Sequence, residues 1–432
     1  MIIDKINFLE SIINKILKNI YSYIFFLYLS LIIGFIFNEN AAGGAISDFA
    51  EFWRKSLEFS NNFNDTIKNY HLSGHRQSPV FLIWQSLLIK LGINETFYRF
   101  INLHLCLLLI FFFYKTLKLI FIKVENNKLL FFSSLIFLSP SFRSAAIWPD
   151  SYLYGILFLT LSIYFYIKFE ISHKNKITYV LINIIFLAIS AYITPNFAFF
   201  SIFFFYKFIS YYKFTLNIFL IFLINLLLAL PAFYFLFVLK INFLIPAGSS
   251  YVGVDIISIQ NLSNKILVIT TIIFFHFLSF GYFFFEKIKK KFELKKNILR
   301  IIIIIILTFA CYIKFDYKTI HENLGGGGVF LKISYKFNSE FFFIVTSILS
   351  LFILDQILKK NFNVNNIILF LLLFLFQPQT TTYHNYFEPL IMILIPLLFQ
   401  FKMNNFFYNK INLIILIITN LLFLFANIVK NF

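Results

Sequence analysis

The sequence predicts an all-α, polytopic membrane protein, and three observations carry that expectation. Of 432 residues, 60% are hydrophobic and only 13% are charged, too apolar for a chain whose whole surface meets water. The apolar residues gather in runs of about 17 to 25, the length at which a helix crosses a hydrocarbon core with its own backbone hydrogen bonds satisfied. Lys and Arg fall in short clusters between those runs, at alternate connections. Phe supplies 66 residues, but an AT-rich genome produces such a bias, so it carries no functional weight.

About thirteen runs qualify as spans. They lie near 20–38, 98–122, 129–140, 150–169, 177–194, 195–210, 214–239, 266–285, 297–314, 339–358, 364–377, 384–401 and 411–429. Those at 129, 195 and 364 are short, so the expected bundle has about 11 to 13 spans. Lys115, Lys118, Lys123 and Lys128 fill one connection, Lys168, Lys174 and Lys176 the next, then Lys207 and Lys213, the "EKIKKKFELKK" segment at 286–296, Lys359 with Lys360, and Lys402 with Lys410. The positive-inside rule makes those connections, and the N-terminus, cytoplasmic. Lys5, Lys15 and Lys18 precede the first run, which is longer than a signal-peptide core of about 7 to 15 residues and reads as an uncleaved anchor. The small residues of "NAAGGA" keep cleavage open as an alternative.

The net charge of +18 forms no stripe interleaved with stacking aromatics, so nucleic acid is not an expected partner. Cys106 and Cys311 both lie inside apolar runs and make neither a metal spacing nor a disulfide framework. No soluble domain, solenoid repeat or long linker interrupts the chain, which reads as one membrane domain over 1–432. The longest exterior connection, 39–97, contains "FAEFWRKSLEFSNNFN" and "SPVFLIWQSLLIKLG", whose apolar residues recur at helical spacing as in amphipathic helices lying in the interface.

This topology places the polar chemistry on the exterior side. In "AGGAISDFAE" at 42–51, two glycines let the backbone leave the first span through unusual dihedrals. Ser47 or Asp48 either caps the next helix, or Asp48 is held at the membrane surface where partial desolvation tunes it as a general base. Glu51, one turn on, either assists or is simply solvated. In "HLSGHRQSP" at 71–79, His71 and His75 have a spacing that binds zinc on a helix, but Gly74 intervenes and no third ligand is near. Anion contact by His75 and Arg76, or a solvated loop, fits better. "SPSFRSAAIWPDSYLYG" at 139–155 puts Arg143 and Asp150 at an exterior mouth, with Trp148 and Tyr152 where interfacial aromatics belong. Arg143 either clamps a phosphate or snorkels to headgroups, and Pro149 with Asp150 suits helix initiation.

Four consecutive glycines in "HENLGGGGVF" at 321–330 are able to wrap a phosphate with backbone N–H groups. With no helix expected directly after them, a hinge or lid is the favoured reading. "QPQTTTYHNYFEPL" at 377–390 gathers Tyr383, His384, Tyr386 and Glu388, which suit sugar hydroxyls, while Glu388 also fits a helix-start charge. His104 and His276 read as packing residues, and Asp355 as an ion pair with Lys359 at a helix end.

An N-in bundle, a long first exterior loop with interfacial helices and an acidic residue soon after the first span resemble the GT-C superfamily of integral-membrane glycosyltransferases, in their bacterial arabinose- and mannose-transferase-like form. "HRQSP" leading into "VFLIWQSLLIKLG" looks like the His-x-x-Ser/Pro-Pro segment that opens the second interfacial helix of bacterial members. The resemblance implies an enzyme of the plasma membrane that moves a sugar from a polyprenyl-phosphate donor to a glycan, lipid or protein acceptor at the outer face, with inversion. It implies Asp48 as base, and the residues read above supply the candidate substrate contacts: Glu51, His75, Arg76, Arg143, Asp150, Tyr383, His384 and Glu388. The family often pairs two acids at the base position, whereas Asp48 is flanked by Ser47 and Phe49. Cationic side chains matched to the leaving phosphate make a divalent metal unnecessary on this reading, and no resident cofactor is expected. A polysaccharide polymerase or ligase is the nearest rival, although its large loop usually comes late. A lipid-linked glycan transporter or flippase is the rival outside enzymology, and it predicts intramembrane charges and inverted repeats.

Overall fold

A computed structural model describes residues 2–73, 78–241, 259–284, 294–317, 326–377 and 381–431. The described residues are helical almost throughout and contain no strand. Each expected apolar run holds helix, because in such sequence the backbone has no polar partner but itself. Among the described residues six single helices are long and apolar enough to cross a membrane, or up to eight if two bent helix pairs each count as one span, and four further apolar helices are shorter.

The difference from about thirteen spans has local causes. The run at 384–401 yields only Leu390–Leu397 as helix, with Pro389 as its N-cap, and eight residues rise about 12 Å against a core of about 30 Å. Pro195 opens a short 3₁₀ turn, so the run there gives a helix only over Phe200–Tyr212. "EKIKKKFELKK" at 286–296 lies largely outside the described residues.

The chain divides into two compact units. The first comprises Ile24–Lys123, Pro140–Ser250 and Asn427–Phe432, the second Met1–Tyr23, Val124–Ser139 and Tyr251–Ala426.

At the centre of the first unit stands the Ser151–Ile171 helix, the most buried of the spanning candidates. It pairs with Lys176–Ile193 through small and polar residues as well as rings. Asn183 donates to the Ser162 hydroxyl at 2.7 Å, Ser190 donates to the Gly155 carbonyl at 2.7 Å and Thr194 to the Ser151 carbonyl at 3.0 Å. Phe186 stacks on Phe158 and Phe165 at 6.1 and 5.6 Å. Without a hydrophobic drive between helices in lipid, close approach and interhelical hydrogen bonds give such a pair its register.

In the second unit, Phe132, Phe280, Phe406 and Phe407 interlock with centroids 5.3–6.1 Å apart. Asp355 does not pair with Lys359 as expected from their spacing. It accepts from Arg300 of the Leu294–Ile313 helix at 2.9 Å, while Lys359 donates to Asn297 at 2.9 Å. Both therefore tie neighbouring helices together. Cys106 and Cys311 are buried and free, in keeping with packing roles.

Gly155 leaves no room for a side chain, since a Cβ there would lie 2.5 Å from the Thr194 hydroxyl and 2.7 Å from the Phe197 ring. Replacing Gly155 by Val should destabilise the protein by about 1–3 kcal/mol through overpacking. The check is a thermal melt of the detergent-solubilised variant, where an unchanged midpoint would show that the helices are not in contact there.

Candidate functional site

The site begins where the first membrane helix ends. Ile20–Ile36 closes with Asn38 in the left-handed region at φ 54°. The Asn38 amide donates to the Phe35 carbonyl at 3.2 Å and the Glu39 amide to the Gly34 carbonyl at 2.8 Å. This is a Schellman motif with Asn in the left-handed position. It folds Glu39 back over Gly34, whose missing side chain leaves the space that the Glu39 carboxylate occupies.

Into that space comes Arg143. Its Nε donates to Glu39 Oε1 at 2.6 Å and its Nη2 to Glu39 Oε2 at 2.5 Å, a fork-on-fork ion pair. Nη1 and Nη2 also reach the hydroxyl and carbonyl of Ser30, each at 3.0 Å. Both charged side chains are buried, at 4% and 8% exposed. Arg143 was expected to meet a phosphate or lipid headgroups. It is instead matched by a carboxylate of its own chain, because the turn after the first helix delivers Glu39 to it.

The same turn is fastened twice more. Trp148 donates its indole N–H to the Glu39 carbonyl at 2.9 Å, and the Arg99 guanidinium stacks over the Trp148 ring at 3.5 Å while donating to Asn38 at 2.8 Å. Trp148 is therefore a buried part of this knot and not the interfacial aromatic its position suggested. Asn102 donates to the Ala145 and Ala146 carbonyls at 3.0 and 2.7 Å, and the Ala42 amide to Ser144 at 2.8 Å. The Pro140–Ile147 helix is thus held from three sides.

Gly43 and Gly44 follow with φ of 72° and 74°, which L side chains adopt only at a cost. Their purpose is to reverse the chain onto the Ala45–Asn61 helix. Neither Ser47 nor Asp48 caps that helix. Its N-cap is Gly44, and the Asn40 side chain accepts from the Ala45 amide at 3.2 Å. Asp48 is left in the first turn with its carboxylate uncommitted to capping. Phe49, 1% exposed, anchors the turn against Trp148 at 6.0 Å and Tyr98 at 6.4 Å. Phe49, Phe52, Ser56 and Phe59 form the buried face, the amphipathic pattern expected of this segment. Ser56 donates to Gln85 at 2.7 Å and Gln85 to Tyr98 at 3.2 Å, tying the Pro79–Lys90 helix to the same platform.

Asp48 itself is solvent-accessible, yet packed protein around it, with Asp150 and then Glu51 nearby, pushes its pKa up to about 7. Burial dominates and the two carboxylates add to it. Because the carboxyl touches water, solvent screens part of this effect, and the direction is upward. Asp150 accepts from the Tyr152 amide at 3.2 Å as the N-cap of the Ser151–Ile171 helix. This is the helix-initiation role read from "WPD", one position earlier than a first-turn residue. Glu51 is exposed and its charge acts on Asp48 and Tyr70.

Asp48, Glu51 and Asp150 are thus brought together, and Arg143 is engaged elsewhere in the same unit. His75 and Arg76 lie outside the described residues. Tyr383, His384 and Glu388 belong to the second unit. There Tyr383 and Tyr386 meet edge-on at 6.1 Å, Glu388 is 5% exposed, and His384 packs against His276 at 4.7 Å. His276, read as a packing residue, thus packs against one of the candidate residues of the sequence reading. Glu39, Arg99 and Gly34 escaped the sequence reading. The available signal was a charge within a turn of a membrane-helix end, with a glycine one turn before it. Among the described residues no three His, Cys, Asp or Glu side chains gather as a metal site. Comparison with protein-family models, curated proteins and solved structures finds no match to this chain.

Two predictions follow from this geometry. Glu39→Ala should destabilise the protein by about 3–5 kcal/mol by leaving a buried guanidinium without its counter-charge, whereas Glu39→Met with Arg143→Met should recover most of the loss. Thermal melts of the single and double variants decide it, and equal damage in both would mean the pair has no mutual dependence. The second concerns pH. The folded pKa of Asp48 lies above its unfolded value, so the folded state holds more protons between about pH 4 and 7 and stability falls as pH rises through that window. Asp48→Asn should flatten that part of the melting-temperature profile, and identical profiles would place the Asp48 pKa near that of a free carboxylate.

Proposed function

We propose that the chain is an integral-membrane glycosyltransferase that takes a sugar from a polyprenyl-phosphate carrier at the extracytoplasmic face, with Asp48 as general base. The observation that supports it most is the placement of Asp48: an accessible carboxyl on a helix fixed to the end of the first membrane helix by buried side chains, where the surrounding protein, Asp150 and Glu51 push its pKa up to about 7. A base poised near the working pH combines a useful deprotonated fraction with proton affinity. The many apolar helices agree with a multi-pass membrane protein, and the N-in orientation rests on the distribution of Lys and Arg.

In this reading Asp48 takes the proton of the acceptor hydroxyl as its oxygen attacks the anomeric carbon. The new C–O bond forms as the bond from that carbon to the phosphate oxygen breaks, and polyprenyl phosphate leaves with the electron pair. In-line displacement inverts the centre. The lipid-linked sugar is a substrate, so no resident cofactor is called for. With Arg143 matched by Glu39, its task becomes positioning, and contact with the leaving phosphate falls to His75 and Arg76. Glu51 and Asp150 tune Asp48 and face the polar acceptor.

Asp48→Asn should keep the parent's expression and melt no lower than the parent at pH 7, while lowering transfer from a lipid-linked radiolabelled sugar by about 10²–10⁴-fold. In the parent, the rate should rise with pH through an apparent pKa near 7. Full activity in Asp48→Asn removes Asp48 from the role, and a parent that transfers no sugar from any lipid-linked donor overturns the activity.

A further inference from the structure

The second unit contains a group of polar atoms, His384 among them, to which the mechanism proposed above assigns no step. The glycine run does lead directly into a helix, Gly328–Lys336, contrary to the expectation of a hinge alone. Gly327 and Gly328 take φ of 94° and 76°, and the helix starts without any side-chain cap. Its first-turn amides therefore lack intrahelical acceptors and present the positive end of the helix dipole.

Several side chains converge on that helix end. His384 is 9% exposed, neither of its ring nitrogens has a hydrogen-bond partner, and Nδ1 lies 3.8 Å from where a Cβ on Gly328 would stand. The His276 ring packs on it at 4.7 Å, and its Nε2 is likewise without a partner. Thr382, fully buried, leaves its hydroxyl unpartnered. Its carbonyl accepts from the Gly327 amide at 2.7 Å and from Tyr317 at 3.1 Å, so the glycine turn and the histidine segment are fixed to each other. Lys332, one turn into the helix, is near enough for its charge to act on His384.

Buried polar atoms left unpaired are costly, by about 1–3 kcal/mol each, so such a concentration of them marks a place for a polar ligand. The sign of that ligand follows from the surroundings. Helix-end amides, an ammonium and imidazole N–H groups all favour negative charge. A cation would meet the Lys332 charge and only two histidines, without the third ligand a zinc site needs.

We propose that the first turn of the Gly328–Lys336 helix, Lys332, His384 and its neighbour His276 form a binding site for a phosphate group. Phe275 and Phe423, each 5.2 Å from the His384 ring, give it an apolar wall. The phosphate is that of a free anion or of an isoprenoid-lipid headgroup. The site does not depend on Asp48.

The test is isothermal titration of the full-length protein in detergent with inorganic phosphate, farnesyl phosphate and farnesol. Farnesyl phosphate should bind, and Lys332→Gln and His384→Ala should each weaken it by about tenfold or more, while Asp48→Asn leaves it unchanged. Comparable binding of inorganic phosphate identifies a free-anion site, and binding of farnesyl phosphate alone identifies a lipid headgroup. Farnesol binding as well as farnesyl phosphate, zinc binding in place of either phosphate, or no phosphate binding at all overturns the proposal. So does unaltered affinity in Lys332→Gln at the parent's melting temperature, a variant that stands even if His384→Ala fails to fold.

Discussion

The buried ion pair between Glu39 and Arg143 fixes the geometry of the first unit. A charge pair of this kind gains little net stability over an apolar substitute, because removing both ions from water offsets their attraction. What it supplies is uniqueness: a fork of guanidinium donors meets a carboxylate in one orientation only, and any other path for the chain after the first membrane helix strands two charges in a dry interior. The Schellman turn, the gap at Gly34 and the stack of Arg99 on Trp148 all serve that one arrangement. The position of Asp48 then follows nine residues further on, through two left-handed glycines and the Phe49 anchor.

The architecture was legible because it depends on the coarsest property of the chain, the lengths of its apolar runs. Helices formed at all of them, since hydrocarbon and protein core alike demand internal hydrogen bonding. Span count was less legible. Whether Leu390–Leu397 or Phe200–Tyr212 crosses a membrane depends on where proline and local turns stop the helix, and hydropathy does not register that. The amphipathic Ala45–Asn61 helix and the Asp150 cap were readable from spacing and residue type. Partner choice was not. Arg143 next to an exterior mouth looks the same in sequence whether it faces a phosphate or Glu39, and 104 residues separate it from that carboxylate. Asp355 shows the same limit, since the i+4 neighbour on its own helix lost to Arg300 on another. The glycine run was misjudged for a different reason: glycine weighs against helix by propensity, yet it suits a helix start that needs positive φ immediately before it.

The electrostatics of Asp48 show which influences compete at its helix end. The dipole at the first turn favours a carboxylate and acts to lower the pKa. Crowding by protein and the charges of Asp150 and Glu51 act the other way and win. Asp150 is held where it is by its own capping duty at the Ser151–Ile171 helix, so its influence on Asp48 is a by-product of starting that helix correctly. A structural role for one carboxylate thereby becomes a tuning role for its neighbour.

Charge also limits how such a patch handles a phosphorylated lipid. Three carboxylates repel an incoming phosphate, and the cations on the same helix, Arg54 and Lys55, both pair with Glu58 at 3.0 and 2.7 Å. A raised pKa on Asp48 eases the repulsion, since its carboxyl then holds its proton to higher pH than a free carboxylate does. In the proposed transfer the same shift orders the steps, because a carboxyl with a raised pKa carries less charge as an anionic donor approaches and has more affinity for the proton of an acceptor hydroxyl. Recognition of the proposed donor's phosphate then falls to groups outside the acidic patch. A carboxylate with an ordinary pKa would be fully charged as the proposed donor approached, so on that reading the upward shift bears on binding and proton transfer together.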